Sequence, residues 1–136
     1  MNRISGRVLR FTHWLRNHED DADAVGELSR DFAADLRRIR RGGGRFPKTP
    51  LDILGRLLSS RAWSASLKTL THAVEEWHRE NEAELRQLES VGWGQDNSEA
   101  REAARTLMAD CERQSGAYRS AIRLVEAHCD ESRDAR

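Results

Sequence analysis

The sequence predicts an all-α protein, a bundle of short helices followed by a long antiparallel helical hairpin. Three observations carry this expectation. Apolar residues recur in steps of three and four along most of the 136-residue chain. No stretch alternates apolar and polar residues with the period of two that a half-buried strand needs. The breaks between periodic segments hold the Gly, Pro, Ser and Asp residues that end or cap helices. A chain of this length buries one core, so residues 1–136 are expected to form a single domain.

A first helix is expected from about Gly6 to His18, capped by Ser5, with Val8, Phe11, Trp14 and Leu15 on one face. Asp20, Asp21 and Asp23 then supply capping oxygens and negative charge to a second helix, whose stripe is Val25, Leu28, Phe32, Leu36 and Ile39. Gly42, Gly43 and Gly44 end it, because glycine tolerates positive φ, and Pro47 discourages continuation. Thr49, Pro50 and Asp52 form a carboxylate capping box for a third helix, with Leu51, Leu54 and Leu58 as its buried side and Ile53 and Leu57 beside it.

Ser64 is placed to cap a longer helix in which Leu67, Leu70, Val74, Trp77, Asn81, Leu85 and Leu88 keep an approximate heptad register. Asn81 is the one polar member of that seam. Gly92 and Gly94 flank Trp93 in a break. Ala104, Leu107, Cys111, Ser115, Tyr118, Ile122, Val125 and Cys129 then mark a last helix, which pairs antiparallel with its predecessor through a short loop. Glu131 to Arg136 reads as a frayed tail.

Formal net charge is zero, so no global field draws the whole chain to a polyanion or an anionic membrane, and any such contact must come from a local patch. No apolar run is long enough for a membrane span, and the Arg-rich segment Met1 to Arg16 lacks the apolar run of a signal peptide. A cytoplasmic location is expected. Cys111 and Cys129 are 18 residues apart on one expected helix. At a rise of about 1.5 Å per residue they stand about 27 Å apart, too far for a disulfide.

The front half resembles the YozE family of small bacterial helical domains. The residues that carry the likeness are Phe11 with Trp14 and Leu15, then Gly26, Leu28 and Asp31, then Phe46-Pro47-Lys48-Thr49 with Leu54 and Leu58, and finally Ala73 and Trp77. The resemblance covers roughly residues 8–80 and implies a SAM-like bundle of short helices. It implies a fold much more than an activity. The chain departs from the family pattern in Gly42 to Gly44, in Val74, and in a helical extension over residues 81–130.

Several motifs bear on function. Gly42 to Thr49 approaches a phosphate loop but has Pro47, which lacks an N–H, where that loop needs glycine before Lys-Thr. Glu75 and His78 make half of a di-iron carboxylate signature, and the second half is missing. No nucleophile elbow or Cys-x-x-Cys occurs. The expectation is therefore a non-enzyme without cofactor or metal.

Charge is sharply segregated. Glu19 to Asp35 holds seven acids against one Arg, and Arg37, Arg38, Arg40, Arg41, Arg45 and Lys48 follow with no acid among them. This run complements the dipole of the second helix, or it contacts phosphate or an acidic protein. Arg3, Arg7, Arg10 and Arg16 extend the basic surface if the first helix lies alongside. Trp14 and Trp77 read as core anchors, whereas Trp63 and Trp93, at helix junctions, are candidate interface aromatics. The leading expectation is a protein-interaction module or small regulatory subunit that binds a protein partner or a second copy of itself. The alternative is a nucleic-acid-associated protein using Arg37 to Lys48 on phosphates, without interleaved aromatics for base stacking.

Overall fold

The computed structural model describes residues 8–59, 65–90 and 98–134, with the side chains of Ser98 and of residues 129–134 left aside. Among the described residues there are five helices and no strand: α1 (Phe11–Arg16), α2 (Ala24–Gly42), α3 (Pro50–Ser59), α4 (Ala65–Ser90) and α5 (Ser98–Asp134). The fold is all-α, as the periodicity predicts. No helix is long and apolar enough to cross a membrane.

The first helix is shorter than expected. It starts at Phe11 because the chain before it is extended, with Arg10 at φ −69° and ψ 155°, and Ser5 lies outside the described residues. Side chains of α4 hold that extended segment. The Asn81 carboxamide accepts from the Leu9 N–H at 3.0 Å and donates to the Leu9 carbonyl at 2.9 Å, while the Trp77 indole N–H donates to the same carbonyl at 2.8 Å. A helix through residue 9 would need that backbone for its own ladder. Val8 is still buried, through this docking and not through a helical face.

α2 is capped by Asp23, whose carboxylate accepts from the Gly26 N–H at 3.0 Å, and ends at Gly43 and Gly44 with φ of 82° and 117°. The loop entering α2 passes very close to it. A Cβ on Gly26 would lie 1.9 Å from the Asp21 carbonyl oxygen, so this turn of α2 accepts only glycine without movement. Arg30 fixes the loop by donating to the carbonyls of Glu19 and Asp21 at 2.8 and 2.9 Å.

α3 forms with the expected capping box. The Asp52 N–H donates to the Thr49 hydroxyl, and the Asp52 carboxylate accepts from the amides of Lys48 and Thr49. Its buried side differs from the expected one. Ile53 and Leu54 are buried, Leu57 and Leu58 half-buried, and Leu51 is 40 % exposed. α3 packs against both α4 and α5, so the flank bearing Ile53 is covered while the Leu51 side faces outward.

α4 and α5 run antiparallel. Glu89 pairs with Arg105, Asn81 lies beside Cys111, and Thr71 shares a 2.8 Å hydrogen bond with Tyr118. The buried line on α5 is Ala104, Met108, Cys111, Ser115, Tyr118 and Ile122, with Leu107 and Val125 half-buried. The helix runs through Asp134, into the segment from Glu131 to Arg136 expected to be a frayed tail. Phe11 meets Trp77 edge-on at 5.1 Å, and Trp77, at 1 % exposure, joins the front helices to the hairpin in one hydrophobic core.

Candidate functional site

The basic run forms a corner made by the last turns of α2, the loop from Gly43 to Thr49 and the first turn of α3. Arg37, Arg38, Arg40, Arg41, Arg45 and Lys48 are all exposed. Arg38 reaches Asp35 at 4.0 Å, and Asp35 is taken mainly by Arg56 of α3 at 2.5 Å. The hydrogen bond from Arg56 holds the Asp35 carboxyl below its ordinary range, with the charges of Arg56 and Arg38 acting in the same direction. The side chains of Arg37, Arg40, Arg41, Arg45 and Lys48 form no ion pair with any described residue.

Apolar side chains stand among these cations. Phe46, between Arg45 and Lys48, is 43 % exposed, and Leu51 projects from the first turn of α3. With Leu124 near the far end of α5, they are the large hydrophobic residues left exposed among the described ones. Phe46 therefore supplies the aromatic that the sequence reading found missing from the run. The signal was present in Arg45-Phe46-Pro47-Lys48, but its exposure follows from the path of the loop, where Pro47 is buried and Phe46 is not.

The loop is not built as a phosphate cradle. Its Lys48 and Thr49 amides, which would have to face a phosphate, are accepted by the Asp52 carboxylate at 2.8 and 3.2 Å. What it offers is side-chain charge and an aromatic face. Arg10 and Arg16 are exposed at the two ends of α1, whereas Arg3 and Arg7 lie outside the described residues. Trp63 and Trp93, the candidate interface aromatics, also lie outside them. Trp14 and Trp77 are core residues, with their indole N–H groups donating to Glu80 at 2.8 Å and to the Leu9 carbonyl.

Elsewhere, buried chemistry is structural. Burial pushes the Cys111 thiol up, with Asn81 and Ser115 beside it acting in the opposite direction. Tyr118 is pushed up to about 12 by burial and donates into, or accepts from, the Thr71 hydroxyl. His78, half-buried on α4, has two other carboxylates near it. It meets Glu82, one turn further along α4, and Glu112 of α5, and their donor atoms lie within 4.8 Å of one another. The sequence reading missed this trio. His78 and Glu82 are separated by four residues, a legible helical spacing, but Glu112 joins them only through the register of the hairpin.

No family model, no curated protein and no solved structure matches the chain.

Proposed function

We propose that this chain is a non-catalytic protein-interaction module or small regulatory subunit of the cytoplasm, and that it docks an acidic protein surface at the α2–α3 corner. The observation that carries the reading is the exposed Phe46 between Arg45 and Lys48, in the loop that follows Arg37, Arg40 and Arg41 of α2, all five cations without a described ion-pair partner, with Leu51 exposed in the first turn of α3. An exposed aromatic in an Arg-rich segment has the composition of an interface hot spot, and the unpaired guanidinium groups are ready to take carboxylates in bidentate fashion.

The YozE-like reading of the front half belongs to the same proposal. In support of it, Phe11, Trp14, Leu15, Gly26, Leu28, Pro47, Leu54, Ala73 and Trp77 are buried, while Thr49 and Leu58, which also carry the resemblance, are half-buried and Asp31, Phe46 and Lys48 are exposed. A SAM-like bundle with an added hairpin would be a scaffold that presents the corner.

Capture from nuclease-treated extracts of the source cells tests the proposal, with wild type compared against Phe46→Ala and against Arg40→Ala/Arg41→Ala/Arg45→Ala. The same protein should be retained by wild type and lost by both variants. Retention by both would place docking elsewhere on the surface. The second reading is nucleic-acid binding, which the position of Phe46 between Arg45 and Lys48 favours. On that reading capture is nuclease-sensitive, and the triple change flattens the slope of log affinity against log salt by about two to three units.

A further inference from the structure

Several carboxylates at the α4–α5 seam are taken up by neighbouring groups. Glu76 holds Arg79, Glu89 and Glu102 hold Arg105, Glu80 accepts from Trp14, and Asp110 pairs with Arg113. Glu82 and Glu112 have no such partner among the described residues, and neither does His78, although the three converge within 4.8 Å. Two like charges facing one another across a helix pair repel, and a divalent cation between them turns that repulsion into attraction.

We propose that His78, Glu82 and Glu112 form a binding site for a first-row divalent transition ion, which clamps α4 to α5. The donor set is one imidazole and two carboxylates, which suits Zn²⁺ and its neighbours better than the all-oxygen ions Ca²⁺ and Mg²⁺. The i, i+4 spacing of His78 and Glu82 puts both on one face of α4, as in the paired helical ligands of zinc sites. Glu112 is fixed in register because its neighbour Cys111 is buried against Asn81, one residue before Glu82. Ligands at about 2.0–2.2 Å from a tetrahedral ion are about 3.3–3.6 Å apart, so the three donor groups, now within 4.8 Å of one another, draw together to close on the ion. His78 and Glu82 are half-buried and Glu112 exposed, which leaves the ion a way in and a fourth position for water.

The test uses the purified, chelator-treated full chain titrated with ZnCl₂, read by calorimetry and by thermal melting, beside Glu112→Gln, Glu82→Gln and His78→Asn. Wild type should bind one equivalent saturably and melt higher with the ion. Each substitution should weaken binding at least tenfold, since even the loss of an outer-shell partner costs about 10–100-fold. Without metal, Glu112→Gln should melt at or above wild type because a like-charge contact is gone, which separates loss of a ligand from loss of fold. Co²⁺ in place of Zn²⁺ should show no thiolate charge-transfer band, which separates this site from Cys111 or Cys129. The absence of a saturable equivalent overturns the proposal. So does binding that survives all three substitutions, which would mark an adventitious ion only, held by exposed histidines such as His13, His72 or His128.

Discussion

Replacing Asn81 with Leu probes how the front of the chain is fastened to the hairpin. The carboxamide is 2 % exposed and bonds to both the N–H and the carbonyl of Leu9, a residue 72 positions earlier. In Asn81→Leu the Leu9 carbonyl keeps the Trp77 indole N–H, but the Leu9 N–H loses its described acceptor. An orphaned, partly buried N–H costs about 1–3 kcal/mol, and the redundant bond to the carbonyl adds about 0.5–1.5 kcal/mol. The new apolar side chain returns up to about 1.5 kcal/mol by burial. The expected net loss lies between about 0 and 4.5 kcal/mol, centred near 2 kcal/mol, read from urea midpoints at constant m. Amide exchange at Leu9 should accelerate well beyond the global change, because the lost bond is local.

Asn81→Asp sharpens the argument. It keeps the acceptor for the Leu9 N–H but turns an oxygen towards the Leu9 carbonyl where an N–H had been. Protonating the introduced carboxyl restores a donor there, so its folded pKa is raised above the unfolded value near 3.9. Its contribution is then fully present below that value and is lost as pH rises through the folded pKa. The defect of this variant relative to wild type should shrink on acidification. Unchanged amide exchange at Leu9 in Asn81→Leu, with a stability loss under about 0.5 kcal/mol, would refute the fastening role of Asn81.

Gly26→Ala should destabilise by about 1–3 kcal/mol in denaturant titration, because its Cβ meets the Asp21 carbonyl in a loop that Arg30 holds. The helix-propensity gain of about 1 kcal/mol for Gly to Ala is expected to be outweighed, and net stabilisation would contradict the close approach. Asp35 is held below 3.8, so its pairing with Arg56 contributes stability above that value and loses it as pH falls through the lowered pKa. Because Arg56 is 41 % exposed, Asp35→Asn should cost at most about 1 kcal/mol at neutral pH and nothing in strong acid. In a Cys129→Ser background the Cys111 thiol, 1 % exposed and pushed up by burial, should resist an aromatic disulfide reagent at pH 8 until urea opens the fold. Rapid native labelling would contradict its burial.

Helix number, the α2 and α3 caps and most of the α4 and α5 stripes were legible because periodicity and capping are local properties. The extended start of α1 was not. Val8 fits the spacing of Phe11 and Leu15, and only the α4 side chains that take up the Leu9 backbone reveal why residues 8–10 are not helical. Asn81 shows the same boundary from the other side, since the seam identified it as an exception without naming the backbone it serves. On α3, packing against two helices at once chose Ile53 over Leu51, and periodicity alone ranked them the other way. The cations of the corner could be read from the charge run. The exposure of Phe46 and the approach of Glu112 to His78 are set by a loop path and a helix register, which composition does not encode.

The proposed docking corner is tested most directly by placing a photo-crosslinking benzoyl-phenylalanine at Phe46 and, separately, at Leu124, and irradiating the source cells. Leu124 is the control for exposure alone, since it is 73 % exposed but belongs to α5, which contributes no residue to the basic run. The account predicts a discrete, light-dependent protein adduct at Phe46 that the Arg40→Ala/Arg41→Ala/Arg45→Ala background removes, and none at Leu124. An adduct at Leu124 with none at Phe46 would contradict it.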